Sequence, residues 1–486
     1  MLFRSPTDIF LYKWRYVIGY ALLAMLYIGA GIVSAIYTPG GLTQQEIDAI
    51  QPTNDLGLSL RSLATVNLPF HLLQLASFKL LGVTILSIKL PSIILYVISS
   101  IAIFLLLRRW FKPNVVILSM LIMATTAQLL FIGQSATSGI LYVFYTAMLL
   151  LFATMVVQKE RGAILWKICL AITAGLSLFT PYFWYINLGL LVIAILHPHP
   201  RHFLIKRKYL ASWTIPVLIF AGITAIIAYA CLISPDFLHS ILGVKYITLD
   251  IVSNLKTLYR LYLRPEPLVI DGQITPIIDF GATLLIIFGL LNSIKRITAA
   301  RTFMTWSWLI LSMALLLVQP QLTTVIIIPL FILLAIGIES LLHEWYKLFP
   351  KNPYARGTGL VLTSILVLTM TIGGSVRYID GYRYYPEAAK QFNKDITLLV
   401  QHVKSDTAAT ILVTPSEKPL YTALAKHSSH ITVTTSAPES IKTPLYVTRA
   451  AHSSLQKNSA ISLSAVITND QAEAGDRFYT YTPTEK

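Results

Sequence analysis

The sequence predicts a polytopic α-helical membrane protein of about eleven transmembrane helices that ends in a small extracytoplasmic α/β domain. Three observations carry that prediction. Apolar residues make up 55% of the chain and charged ones 12%, with mean hydropathy +0.67; soluble domains carry about a quarter charged residues. Long apolar runs recur as far as residue 375 and then stop. Basic connectors fall between alternate runs, as the positive-inside rule requires.

The first run spans about Tyr16 to Ile36 behind Arg4, Lys13 and Arg15. Val33-Ser34-Ala35 resembles a cleavage site, but the run exceeds the ~7–15 residues of a signal-peptide core, so it reads as a retained span. Further runs fall at roughly 90–107, 114–132, 139–157, 166–180, 182–196, 210–232, 276–293, 303–318, 322–340 and 357–375. Most approach the ~20 residues a bilayer needs. The connectors Arg108-Arg109, Lys159-Glu160-Arg161, Lys206-Arg207-Lys208, Lys295-Arg296 and Lys347 to Arg356 share one side. That side carries 19 Lys/Arg against 4 Asp/Glu, the opposite loops 7 against 8, and the tail from 376 carries 12 against 10. The net charge of +16 therefore reports orientation rather than a nucleic-acid partner, with the N-terminus cytoplasmic and the C-terminus outside the plasma (inner) membrane.

Residues 1–375 form the membrane domain, with long outer loops at 37–89 and 233–275. Residues 376–486 form the tail domain. There an aromatic and basic stretch, Arg377 to Pro386, precedes a helical pattern at 387–404. Strand-like runs follow at Thr410–Val413, Ile431–Thr434, Leu445–Thr448, Ile461–Ile467 and Phe478–Tyr481, with a helix at 417–427 between the first two, the pattern of a βαβ unit.

The candidate chemistry lies in the outer loops. Thr43-Gln44-Gln45-Glu46 fits a capping box, in which Thr and Glu satisfy each other's backbone N–H groups. Glu46 reads equally as a general base at the membrane surface, with Asp48 and Asp55 as weaker candidates. Pro69 to Leu81 reads as an amphipathic helix lying on the outer surface, its His71, Gln74 and Ser77 spaced by three. Gln45, Arg61 and His71 are candidates for contacting substrate there. Arg260 and Arg264 would share a helical face and suit a lipid phosphate bidentately, with Lys245 a weaker partner. His197-Pro198-His199-Pro200-Arg201-His202 lies on the cytoplasmic side without an acid or Cys nearby, and no metal motif occurs elsewhere, Cys169 and Cys231 both falling in apolar runs. No charged residue sits near the middle of a span, which disfavours an ion-driven carrier or flippase.

Four stretches together resemble the GT-C-fold membrane glycosyltransferases of the protein mannosyltransferase and aminoarabinose transferase type. They are Gln45-Glu46 at a helix start after the first span, Asn67-Leu68-Pro69-Phe70-His71-Leu72-Leu73, the run from Gly82 to Leu90-Pro91-Ser92, and Ala174 to Pro181. The resemblance covers roughly 10–375. It implies transfer of a sugar from a polyprenyl-phosphate-linked donor to an extracytoplasmic acceptor, with an acid of the first loop as base or substrate orienter and basic side chains on the lipid phosphate. Glu46 matches that acid. Gln45 stands where the family has Asp, Lys89 stands for its Arg, and Gly133–Gly139 lacks the acid often found after the third span. A neutral amide cannot serve as a carboxylate base, so the alternative is an inactive GT-C-like lipid-binding or scaffold protein. The pattern leaves the divalent metal, the sugar and the oligomeric state open.

Overall fold

The computed structural model describes residues 10–483 except 58, 159–161, 206–210, 265–268, 271, 404–407, 429, 438–442, 454, 456–460 and 469–474. The connectors Lys159-Glu160-Arg161 and Lys206-Arg207-Lys208, together with Arg4, Pro265-Glu266-Pro267 and Asp271, lie outside the described residues.

Each of the eleven apolar runs contains a helix. Among the described residues, seven helices are long and apolar enough to cross a membrane. Pro113–Thr125 and Ala127–Gln134, bent by 63° at Thr126, make an eighth if taken together. The other three, Ala163–Ser177, Phe183–Leu196 and Phe280–Ile294, have only 15, 14 and 15 residues. At 1.5 Å per residue they reach about 22 Å of the ~30 Å hydrocarbon core, so the expected eleven full spans become seven or eight with three short ones. Ile85–Trp110, Ile140–Gln158 and Thr323–Leu348 form the interior, while Ala211–Ile233 and Pro353–Tyr384 lie at the periphery. Leucines such as Leu232 and Leu362 are exposed on the peripheral helices, as a lipid-facing surface requires. Phe280–Ile294 packs so closely on Ile327–Leu348 that a Cβ at Gly289 would lie 1.9 Å from the Leu333 carbonyl oxygen, and one at Gly337 2.2 Å from that of Leu285. Small residues permit such approach where lipid supplies no hydrophobic drive between helices.

The last helix overruns the expected domain boundary, continuing from Pro353 to Tyr384. Its final turns stay helical because they are packed. Tyr378 and Tyr382 are buried, and the Arg377 guanidinium donates to Asp279 Oδ1 at 2.6 Å and to the Pro276 carbonyl. The helix expected over 387–404 is instead two, Pro386–Ala389 and Asp395–His402, joined by a strap at 390–394. Asn393 breaks the helix by exchanging both backbone hydrogen bonds with Leu42, at 2.8 and 2.9 Å.

The tail folds into a five-stranded sheet. In chain order β1 (Val269–Ile270) and β2 (Gln273–Ile274) form a hairpin in the second long loop. β3 (Ala409–Leu412), β4 (Ile431–Thr434), β5 (Leu445–Thr448), β6 (Ile461–Thr468) and β7 (Asp476–Pro483) form the tail sheet in the order β4-β3-β5-β7-β6. β3 pairs in parallel with β4 and β5, and the β6–β7 hairpin adds antiparallel. The Lys418–His427 helix connects β3 to β4, as the βαβ pattern requires.

This tail domain shares a hydrophobic core with the first long loop. Leu42, Ile47, Ile50, Phe78 and Ile88 cluster with Ile396, Leu399, Leu420 and Tyr421. Gln44 Nε2 donates to the Ser416 carbonyl at 2.9 Å and Asn54 Nδ2 to the Pro419 carbonyl at 2.7 Å.

The Leu68–Leu81 helix buries a mixed face, with Phe70 and Phe78 beside its polar residues, and exposes several leucines. His71, Gln74 and Ser77 point inward, while Leu72, Leu73, Leu80 and Leu81 are exposed. The inward groups are satisfied. The Thr53 hydroxyl donates to Gln74 Oε1 at 2.5 Å and so receives the Nδ1–H of His71 at 2.9 Å, while Ser77 Oγ donates to the Ser87 carbonyl at 2.7 Å. The exposed leucines form the face such a helix buries in a membrane interface.

Candidate functional site

The site begins with a helix cap. Thr43 precedes the short Gln44–Asp48 helix, and both halves of the capping box form. The Glu46 backbone N–H donates to Thr43 Oγ1 at 3.3 Å. In return Glu46 Oε2 accepts the Thr43 backbone N–H at 2.7 Å and its hydroxyl at 3.1 Å. Glu46 is wholly buried, and its second oxygen has longer-range partners. Oε1 accepts the Ala136 N–H at 2.7 Å and lies 3.5 Å from Lys89 Nζ. The carboxylate thus serves the cap with one oxygen and joins the first loop to the membrane helices with the other.

Lys89 is also fully buried, and its ammonium donates to Gln134 Oε1. Gln134 reaches this point because the helix pair 113–134 bends at Thr126, whose hydroxyl turns back to the Ile122 carbonyl at 2.9 Å. An ion pair in a low-dielectric interior persists only when its remaining lone pairs and protons are also satisfied; here the amide of Gln134 and the N–H of Ala136 do this. Of these three residues, reasoning on the sequence selected Glu46 alone. Lys89 was visible as a cation opening an apolar run, whereas Gln134 carried no signal that would distinguish it from other polar loop residues.

Three elements cover the cluster. The strap lays Phe392 over Lys89, with the ring centroid 6.0 Å from Nζ. Gly41 permits this approach, because a Cβ there would lie 2.9 Å from Phe392 Cβ and 3.0 Å from the Asn393 carbonyl oxygen. Tyr382 packs edge-on against Phe392 and donates its hydroxyl to the Gly272 carbonyl at 2.9 Å. Gly272 in turn abuts Thr43 and Phe131. The two long loops and the tail domain therefore converge on Glu46.

The other candidate residues are dispersed. Asp48 and Asp55 are exposed, each accepting from the glutamine four residues before it, Gln44 and Gln51, at 2.9 Å. Gln45 and Arg61 are exposed. His71 is not at the surface: burial holds its imidazole down at about 4, and its polar edge faces Thr53. Arg260 lies exposed in the last turn of the Ile251–Tyr262 helix, and Lys245 is exposed in the Val244–Tyr246 turn. Arg264 follows the end of that helix, so the expected helical face shared with Arg260 does not form; the chain closes there with the Arg264 N–H on the Tyr259 carbonyl at 3.1 Å. Among the described residues no three His, Cys, Asp or Glu side chains group as metal ligands.

A second feature opens beside the cluster. A groove of about 790 Å³ runs between the end of the second long loop and the last helix, lined by Leu263, Ile278, Phe280, Leu284 and Ile287, with Arg377 and Asp380 also on its wall. Apart from the buried Ile278, these apolar side chains belong to the exposed surface of the bundle.

With this geometry in view, known proteins supply the frame. Two crystal structures of ArnT from Cupriavidus metallidurans superpose on the whole architecture. The apo form has a TM-score of 0.59 at 10% identity, covering 96% of this chain and 98% of that one. The form bound to undecaprenyl phosphate has a TM-score of 0.60 at 12% identity, with the same coverage. The chain has the GT-C fold of membrane glycosyltransferases. Residues 68–227 also match the family described as dolichyl-phosphate-mannose-protein mannosyltransferase. That GT-C segment contains Lys89, Gln134 and Ala136 but not Glu46, the second loop or the tail. No curated protein sequence matches the chain. The protein is thus a multi-pass membrane protein of GT-C fold whose buried ion pair joins the matched segment to the unmatched first loop.

Proposed function

We propose that the protein transfers a sugar from a polyprenyl-phosphate-linked donor to an acceptor outside the membrane, a protein, a lipid or a cell-surface glycan. The observation that carries this reading is the Glu46–Lys89 pair, placed where both loops and the tail domain meet in a fold shared with an undecaprenyl-phosphate-bound transferase. The N-terminus lies in the cytoplasm and the tail domain outside, following the charge of the connectors.

In the proposed reaction an acceptor hydroxyl attacks the anomeric carbon. The bond from that carbon to the phosphate oxygen breaks, and the polyprenyl phosphate leaves with the electron pair. The acceptor proton passes to Glu46. Both Glu46 oxygens are occupied at rest, so the carboxylate must shed a donor before it can act as a base. Lys89 is that donor: moving from Glu46 to the leaving phosphate, it opens one lone pair of Oε1, whose other partner stays the Ala136 N–H, and neutralises the developing charge in one displacement. The apolar groove accommodates the isoprenoid chain, and Arg260, Arg264 and Lys245 attract lipid phosphates from the loop surface. Asp48 and Asp55, exposed and within the same loop, are the reserve candidates for the base.

The satisfied, covered state of Glu46 and the amide at Gln45 favour a second reading, a non-catalytic GT-C protein that binds lipid or scaffolds a surface-polymer complex. One assay separates the two. The full-length protein in nanodiscs is given a polyprenyl-phosphate sugar, and transfer to the native acceptor is followed. The first reading expects turnover that falls by about 10²–10⁴-fold in Glu46→Gln. Turnover that survives Glu46→Gln together with Asp48→Asn removes the assigned base, and absence of turnover in the wild type leaves the scaffold.

A further inference from the structure

The groove beside the last helix is apolar along its length and charged at its mouth. Phe280, Leu284 and Ile287 line it and are all exposed. Spaced by four and three, they form one stripe along the Phe280–Ile294 helix. Arg377 and Asp380 line the same groove near the end of the Pro353–Tyr384 helix. With the tail outside the membrane, the charged end is the outer one and the stripe runs inward from it. Gly381 closes the groove above, since a Cβ there would lie 2.7 Å from Ile274 Cδ1.

The two charges stand three positions apart, yet they are engaged differently. The Arg377 guanidinium turns to Asp279 Oδ1 at 2.6 Å and to the Pro276 carbonyl. Two of its five N–H groups are used there, and the side chain remains partly exposed. Asp380 is exposed and has no ion-pair or hydrogen-bond partner among the described residues. Asp279 neutralises Arg377, so the mouth carries one net negative charge, that of Asp380. Such a mouth repels a head group of net negative charge and attracts an ammonium. The order of groups is also specific. From outside inward come a carboxylate, a guanidinium with spare donors, and an apolar stripe. Three helical residues rise about 4.5 Å, comparable to the reach from nitrogen to phosphorus in a phosphoethanolamine.

We propose that this groove is a phospholipid site selecting a zwitterionic head group with a primary amine. The ammonium donates to Asp380, the phosphate accepts from the free N–H groups of Arg377, and an acyl chain lies along Phe280, Leu284 and Ile287. The site shares its groove with the isoprenoid chain, and in that respect it rests on the sugar-transfer reading: a resident phospholipid occupies the groove until the donor displaces it.

The test uses the full-length protein in detergent micelles doped with phosphatidylethanolamine, phosphatidylcholine or phosphatidylglycerol of identical acyl chains. Mass spectrometry of the intact complex counts each bound lipid. Phosphatidylethanolamine is expected to exceed phosphatidylglycerol about fivefold, the scale of one exposed ion pair. Phosphatidylcholine, whose nitrogen has no N–H to donate, is expected to fall between them. Asp380→Asn is expected to remove the preference and Asp380→Lys to reverse it. Leu284→Trp, which fills the groove and leaves both charges, is expected to lower all three lipids alike. The inference is overturned if the wild type binds the three equally, if the preference survives Asp380→Asn, or if Leu284→Trp binds like the wild type. Undecaprenyl phosphate is expected to displace phosphatidylethanolamine from the wild type. Binding of undecaprenyl phosphate with phosphatidylethanolamine retained would overturn the placement of the isoprenoid chain and leave the head-group site standing. Binding of undecaprenyl phosphate by a wild type without head-group preference would do the reverse.

Discussion

The Glu46 cluster and the groove beside the last helix lie at the same end of the bundle, yet they are built on opposite terms. The cluster is polar, sealed and hydrogen-bonded, and the first loop and the tail domain share the hydrophobic core next to it. The groove is apolar and open, with Phe280 77% exposed on its wall. A sealed polar cluster holds its groups in one arrangement at the cost of desolvating them, so it suits positioning. An open apolar surface offers no directional contact but tolerates any hydrocarbon chain. On the proposed reading, the first suits recognition of charge and the second accommodation of a hydrocarbon chain.

The largest expected effect tests whether the cluster is a true buried pair. Lys89→Met removes the cation from the buried Glu46 and should cost about 3–5 kcal/mol of stability, the range for breaking one side of a buried salt bridge. Glu46→Gln combined with Lys89→Met removes both charges and should recover much of that loss in thermal unfolding of the purified protein. A Lys89→Met variant as stable as the wild type would mean that water reaches the pair and that the site is not sealed.

Paired substitutions of phenylalanine compare the regions directly. Phe78 is 1% exposed in the core shared by the first loop and the tail domain. Truncating it to Ala should cost about 3–5 kcal/mol. Phe280→Ala, on the groove wall, should change stability by less than about 0.5 kcal/mol. Equal losses in the two variants would make the groove part of the packed interior and end the contrast.

Much of this architecture was legible beforehand, for physical reasons that also mark where reading stopped. Helices in lipid must be long and apolar, and the strands at Ile431–Thr434 and Leu445–Thr448 are short β-branched runs between turns, so both classes announce themselves locally. The capping box at Thr43 and Glu46 spans three residues and was equally visible. Glu46 to Ala136 and Lys89 to Gln134 are tertiary contacts with no periodicity to betray them. The orientation of Leu68–Leu81 was open for another reason. Its spacing groups His71, Gln74 and Ser77 but does not name the solvent outside, and here they turn inward with Phe70 and Phe78 while leucines are exposed. The strap was hidden because Asn393 leaves the helix to pair with Leu42, 351 positions earlier in the chain, a contact that only the folded chain supplies.

A titration tests the inward polar face. The folded-state pKa of His71 is depressed from 6.5 to about 4 because burial disfavours the imidazolium. The neutral ring is therefore the native form, and protons bind the unfolded chain first. Stability on this account is intact above pH 6.5 and lost as pH falls to about 4, by on the order of 3 kcal/mol. Unfolding followed between pH 7 and 4 should show that decline in the wild type and a shallower one in His71→Asn. Equal slopes would place His71 in water.

The smallest effect isolates the cap from the ion pair. Thr43→Ala removes the hydroxyl that caps the Glu46 N–H and donates to Oε2, yet leaves the Thr43 backbone N–H, the Ala136 N–H and Lys89 on the carboxylate. It should cost about 1 kcal/mol, the usual loss on removing an N-cap side chain, with Thr43→Ser close to the wild type. Because the ion pair survives, binding of undecaprenyl phosphate should stay within about twofold. A loss of binding as large as that of Lys89→Met would mean that the cap, rather than the buried pair, sets the position of Glu46, and the division between a structural oxygen and a functional one on that carboxylate would fail.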